Sequence, residues 1–175
     1  MESDDPSPLN IYGKSKLAGE VAVCEVMQKN AIIIRTSWLY SEYSNNFVNT
    51  IIRKAQKFDE LSVVSDQYSS PTNAGDLAKV LIQIINHNKF RNHDQLTQIY
   101  HYSSYGVCSW FEFAREILEL ANIDCQVNSI ETKDYLTAAR RPKYSLLNTD
   151  KIVKDFGLEI PFWKDSLKVS IDNLL

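Results

Sequence analysis

Tyr12 and Lys16 are the residues whose types and spacing most directly suggest chemistry. They stand in Asn10-Ile11-Tyr12-Gly13-Lys14-Ser15-Lys16-Leu17-Ala18-Gly19-Glu20, four apart, so on a helix both side chains emerge on one face. A phenol titrates near about pH 10 in model peptides, and a neighbouring ammonium favours its phenolate. Such a pair suits general acid or general base work. Composition weighs on the other side: nine tyrosines and thirteen lysines give roughly 0.7 chance occurrences of Tyr-x-x-x-Lys in this chain. Taken alone, the spacing fits an ordinary helix surface better than a catalytic site.

The pair needs a helix to hold it, and the sequence predicts one. Pro8 and Asn10 stand where a helix start and its N-cap belong, and Leu17, Val21, Cys24 and Met27 recur at the interval of one buried stripe. Ala31 to Trp38 is a continuous apolar, β-rich run, the pattern of a strand buried on both faces of a parallel sheet. Trp38 lies just past it, at the carboxyl end, where ligands bind in open parallel sheets; the bland alternative is a half-buried rim aromatic.

Further along, a helix is expected from Asn46 to about Phe58, with Phe47, Ile51, Ile52 and Ala55 on its apolar side. A strand at 61–64, a loop at 67–72, a helix at 77–85 and a polar loop of some thirteen residues follow. Residues 99–102 read as a strand, and Ser109 with Glu112 forms a capping box for a helix over 110–121. Trp110, Phe111 and Phe113 read as the core of that helix. A strand at 126–130, a short helix from Asp150 ending at Gly157, and a last helix over 163–174 complete an α/β pattern.

Composition bounds the function. The chain of 175 residues is one domain's worth, 44% hydrophobic and 23% charged, as in water-soluble globular proteins. A net charge of -3 without a basic block argues against nucleic acid or an anionic membrane as partner. Cys24, Cys108 and Cys125 are odd in number without a close pair, and His87, His93 and His101 lack ligand spacing, so neither disulfides nor a metal are expected. The start Met1-Glu2-Ser3-Asp4-Asp5 is unlike a basic signal peptide, and no apolar run spans a bilayer, so the cytoplasm is the expected location. The glycines, at 13, 19, 75, 106 and 157, form neither G-x-G-x-x-G nor a Walker loop. If Tyr12 and Lys16 serve a dinucleotide, its main binding unit lies outside this chain.

An ordered set of segments carries a resemblance: 8–20 around Tyr12 and Lys16, Arg35-Thr36-Ser37-Trp38-Leu39-Tyr40, Asn45-Asn46-Phe47-Val48, and Leu61 to Gln67 with Ser70-Pro71-Thr72. It continues through Asp76-Leu77-Ala78, Tyr100-His101-Tyr102, Cys108 to Arg115, and Arg141-Pro142-Lys143-Tyr144-Ser145-Leu146-Leu147. Together they resemble the dTDP-4-dehydrorhamnose reductase family of the extended short-chain dehydrogenase/reductase superfamily. Members of that family are longer. They begin with a Rossmann half carrying a Gly-x-x-Gly-x-x-Gly loop and place a catalytic Ser or Thr before the Tyr-x-x-x-Lys helix; both are missing here.

The resemblance therefore implies the C-terminal part of a Rossmann-like NAD(P)-binding fold plus a small α/β substrate-binding domain. Residues 1–60 would be the tail of the Rossmann domain and 61–175 mainly the substrate domain, with segments around 77–105 returning to the first. The implied reaction is NADPH- or NADH-dependent reduction of the 4-keto group of dTDP-4-dehydro-L-rhamnose to dTDP-L-rhamnose, with this portion inactive alone. Tyr12 would protonate the carbonyl oxygen, and Lys16 would lower the tyrosine pKa and bond the nicotinamide ribose. Thr36 and Ser37 would contact cofactor or substrate, and Trp38 would pack on the deoxysugar. Asn46, at a helix start, and Arg141 are candidates for the diphosphate, with simple capping and a solvated arginine as the alternatives. Gln67, Ser70 and Thr72 would lie in a sugar-nucleotide loop or merely form a turn. A homodimer or other self-association is expected through the sheet edge and apolar face left exposed. A sugar-nucleotide epimerase or dehydratase, or a non-catalytic reductase-like subunit, remain the rival readings.

Overall fold

A computed structural model describes residues 1–91, 96–135 and 140–175. Asn10, in extended backbone, caps the first helix, α1 (Ile11–Val26), by accepting from the Gly13 N–H at 2.8 Å. A short connection leads to β1 (Ile32–Arg35), then β2 (Leu39–Tyr40), α2 (Phe47–Ala55) and β3 (Glu60–Val64). Next come β4 (Tyr68–Ser69), β5 (Thr72–Asn73), α3 (Ala74–Asn86) and the single turn α4 (Asn88–Arg91). Then follow β6 (Gln98–His101), β7 (Cys108–Ser109), α5 (Trp110–Leu120) and β8 (Gln126–Ile130). A 3-10 turn (Thr132–Asp134), α6 (Asp150–Phe156) and α7 (Trp163–Leu174) close the chain.

The strands pair in twos. β1 with β6, β2 with β5 and β3 with β8 run parallel, and β4 with β7 antiparallel. Parallel pairs with helices between them make this an α/β fold. Two cores result. The larger packs α2, α5 and α7 on β3 around Phe113, Ile117 and Leu167, which are fully buried. The smaller packs α3 and α6 against β6 around Tyr100, Tyr102 and Ile152. Ser109 and Glu112 make the predicted capping box, with Ser109 Oγ accepting from the Glu112 N–H at 3.1 Å and Glu112 Oε2 from the Ser109 N–H at 2.7 Å. Gly157 ends α6 in the left-handed conformation, as expected.

Four expectations change. The strand at 31–38 shortens to β1 and is half-buried; among the described residues it pairs with β6 alone. The α1 stripe is not buried: Leu17 and Cys24 are half-buried and Val21 and Met27 exposed, and among the described residues that face borders only a shallow groove shared with residues 2–6. The polar loop after α3 contains α4; His93 lies outside the described residues. The segment 67–72 is no surface loop. It holds β4 and β5, and Ser69, Ser70, Pro71 and Thr72 are buried, their hydroxyls satisfied internally.

Candidate active site

Two features meet on one side of the molecule. The first is a polar strip at the carboxyl end of β1. Thr36 Oγ1 and Thr72 Oγ1 share a hydrogen bond at 3.1 Å, Ser37 Oγ donates to the Ser70 carbonyl at 2.8 Å, and the Thr72 N–H donates to the Trp38 carbonyl at 3.2 Å. Ser70 Oγ in turn donates to the Ser104 carbonyl. Trp38 sits in this strip with φ of +45°, a left-handed conformation that a bulky residue adopts only where its surroundings hold it. Its indole lies flat on that of Trp110, ring centroids 3.5 Å apart and planes 13° from parallel.

The second feature is a cavity of about 400 Å³ between α2, α5, β3, Tyr135 and Arg141, lined also by Phe47, Thr50, Lys54, Gln67 and Trp110, among others. That volume suits a small-molecule ligand, and the lining pairs apolar rings with two cations, Lys54 and Arg141. Other recesses are comparable in size, such as the groove of about 530 Å³ between residues 2–6 and α1, but that one is carboxylate-rich and shallow. The wall bearing Gln67 is fixed by a relay. Gln67 Nε2 donates to Thr132 Oγ1 at 3.0 Å, while Thr132 Oγ1 and the Thr132 N–H both donate to Asp66 Oδ1. These bonds, with the Lys143 ammonium at 3.3 Å, hold the Asp66 carboxyl below its ordinary range.

The catalytic candidates stand on α1, whose start is bonded to the residue before Arg141. Tyr12 is 71% exposed, and Lys16 Nζ lies 5.8 Å from its ring centroid, so both side chains share one face as the spacing predicts. α1 is anchored twice. Arg35 Nε and Nη2 donate to the two oxygens of Glu20 at 2.8 and 2.6 Å. At the other end Asn10 Nδ2 donates to the Arg140 carbonyl at 2.9 Å, which brings the start of the Tyr12 helix against the residue before Arg141.

The sequence candidates divide accordingly. Thr36, Ser37 and Trp38 form the strip, and Gln67 and Arg141 line the cavity. Asn46 makes the capping contacts given as its alternative: its Oδ1 accepts from the Asn49 N–H at 3.2 Å and its Nδ2 donates to the Ser41 carbonyl at 2.7 Å. Thr72 is fully buried and bonded to Thr36, which makes it part of the scaffold. Trp110 packs against the larger core, as expected, and also borders the cavity. Sequence reasoning passed over Lys54, although Phe47, Thr50, Ile51 and Lys54 fall on one helical face. No cluster of His, Cys, Asp or Glu able to hold a metal occurs among the described residues, and no described helix is long and apolar enough to cross a membrane.

Comparison with known proteins places this geometry in context. Residues 1–175 match the family described as RmlD substrate binding domain. The dTDP-4-dehydrorhamnose reductase of Sinorhizobium fredii is 38% identical over 95% of this chain and 57% of its own length. That of Escherichia coli K12 is 37% identical over 99% of this chain and 59% of its own. The solved structure of the Bacillus anthracis reductase in complex with NADP superimposes with a TM-score of 0.89 at 39% identity, again over 99% of this chain and 59% of that one. The chain thus spans less than two thirds of the relatives it matches.

Proposed function

Since the chain belongs to the RmlD substrate-binding-domain family, we propose that it is the substrate-binding portion of an NADP-dependent dTDP-4-dehydrorhamnose reductase. The observation that carries this is the juxtaposition of an aromatic, doubly cationic cavity with the Tyr12–Lys16 helix. A nucleoside diphosphate needs both apolar planes for its base and positive charge for its phosphates; Phe47, Trp110 and Tyr135 supply the first, and Lys54 and Arg141 the second. The sugar would then extend towards Trp38 and Tyr12.

In the longer protein, Tyr12 gives its phenolic proton to the C4 carbonyl oxygen of dTDP-4-dehydro-L-rhamnose, converting the ketone to an alcohol. Lys16, on the same helical face, holds a positive charge beside that phenol and bonds the cofactor ribose. The nicotinamide cofactor, when bound, supplies the hydride. The residues present fit one end of such a cofactor: Lys16 and Thr36 are exposed and Ser37 half-buried, and the Thr36 and Ser37 hydroxyls keep acceptor capacity beside the bonds they already make. Its pyrophosphate needs a glycine-rich loop absent from this sequence. The exposed stripe of α1 and the unpaired edge of β1 are the surfaces that such a half would cover; left bare, they favour self-association. The parallel pairing of β1 with β6 supports grouping residues around 77–105 with the start of the chain, whereas α2 packs with α5 and α7 in the larger core, which favours placing it with the substrate domain.

The test follows NADPH oxidation with dTDP-4-dehydro-L-rhamnose in the protein extended to its relatives' length. Turnover is expected, falling by about 10³-fold or more in Tyr12→Phe while substrate binding persists. Turnover retained in Tyr12→Phe would remove the tyrosine from the reaction.

A further inference from the structure

Trp110, in the first turn of α5, packs between the larger core and the cavity. One face of its indole is covered by Trp38 at 3.5 Å, Phe47 leans on it at 4.5 Å with planes 47° apart, and the remainder borders the cavity. Trp38 itself is not among the cavity-lining residues. It is nevertheless held in a left-handed backbone conformation, pinned by the hydrogen bond from Thr72 to its carbonyl and by the serine and threonine bonds on either side. A strained backbone of this kind persists where the fold over-determines it, and here its effect is to lay one indole flat against another. Phe113 supports the pair from beneath, 6.5 Å from Trp38 and 6.4 Å from Trp110.

We propose that Trp110 is the wall on which a planar nucleobase lies, and that Trp38 acts as its positioning residue by backing the indole from outside the cavity. The proposal rests on the nucleotide reading above and adds a residue that acts on binding without touching the base. The indole of Trp110 projects from the start of α5 with its cavity edge otherwise free. Without Trp38 the indole gains rotamers, and a base must then order it on binding. The diphosphate contacts of Lys54 and Arg141 lie on other elements and do not depend on this stack.

Calorimetric titration of this chain with dTDP and, separately, with inorganic pyrophosphate tests the idea. dTDP carries no sugar, so contact between a sugar and Trp38 cannot contribute. Trp38→Leu is expected to weaken dTDP about two- to tenfold, the worth of one aromatic pair, and to leave pyrophosphate unchanged. Trp38→Phe, which keeps a ring in place, should recover most of the loss and stands in for the leucine variant if that fails to fold. In a Trp110→Leu background, Trp38→Leu should cost nothing further. Three results overturn the proposal: unchanged dTDP affinity in Trp38→Leu, equal weakening of dTDP and pyrophosphate, or additive losses in the double variant. A parent chain that binds pyrophosphate and dTDP equally removes the base wall but leaves the cationic site; one that binds neither removes the nucleotide reading itself.

Discussion

The Arg35–Glu20 pair is one of the contacts that tie the Tyr12 helix to the rest of the fold, and its worth can be derived. α1 has no fully buried residue, so little apolar burial fixes it to β1. The pair is bidentate, at 2.8 and 2.6 Å, with side chains 22% and 17% exposed. Fully exposed ion pairs contribute about 0–1 kcal/mol, whereas hydrogen bonds to charged groups with restricted solvent reach about 1.5–3 kcal/mol. The observed exposure puts this pair between the two, near 2 kcal/mol, as an order of magnitude. Glu20→Ala leaves the guanidinium partly buried without its partner. It should lower stability by about 2 kcal/mol, a drop in Tm of roughly 4–8 °C for a chain of this size. Glu20→Gln, which retains one acceptor, should lose about half as much. Urea unfolding measures the first quantity, and hydrogen exchange of the α1 amides shows whether the loss is local. A Glu20→Ala midpoint within about 0.5 kcal/mol of the parent would refute the reasoning, because the pair would then behave as an ordinary surface contact.

Two other outcomes follow from packing and burial. Gly106 has φ of +96°, and a methyl there would stand 2.4 Å from Phe162 Cε2 and 2.9 Å from Trp163 Cδ1. Gly106→Ala is therefore expected to cost more than about 2 kcal/mol in urea unfolding, and a neutral result would contradict the packing of Phe162 over that turn. His101 is buried at the end of β6, and burial lowers its pKa, with Glu2 opposing the shift and Arg35 and the N-terminus adding to it. The unfolded chain thus takes up the imidazole proton first. Stability should decline as pH falls below the ordinary value of 6.5, until the folded imidazole also protonates. His101→Gln should flatten that part of the profile, and an unaltered slope would exonerate the histidine.

Much of this arrangement was legible in the sequence, and the failures have physical causes. Capping residues act locally, so Asn10, Asn46 and Ser109 announced α1, α2 and α5 within a residue or two. Tyr12 and Lys16 share a face because helical geometry alone decides it. Burial is a property of partners, which periodicity does not report: the α1 stripe is amphipathic in sequence yet open, while the polar run at 67–72 is interior because distant serines and carbonyls satisfy it. The same logic separates Gln67, which faces the cavity, from Thr72 five residues on, which faces Thr36. Trp110 packs on the core as its neighbours in α5 suggest, but that it also borders the cavity depends on tertiary contacts that the sequence does not report.

The bond between Asn10 and the Arg140 carbonyl has a bearing on the order in which the site comes into being. It joins residues 130 apart, whereas the caps and helical turns around it close loops of three or four residues. Closing so long a loop carries more entropy, and contacts of that separation form late when helices and adjacent strands have already condensed. The Tyr12 helix and the Arg141 segment are thus brought into alignment by one of the final steps of folding. Asn10→Ala should accordingly speed unfolding more than it slows refolding in stopped-flow measurements, the reverse of a residue in the nucleus. A young chain would hold a formed α1 and a formed cavity before it holds a site.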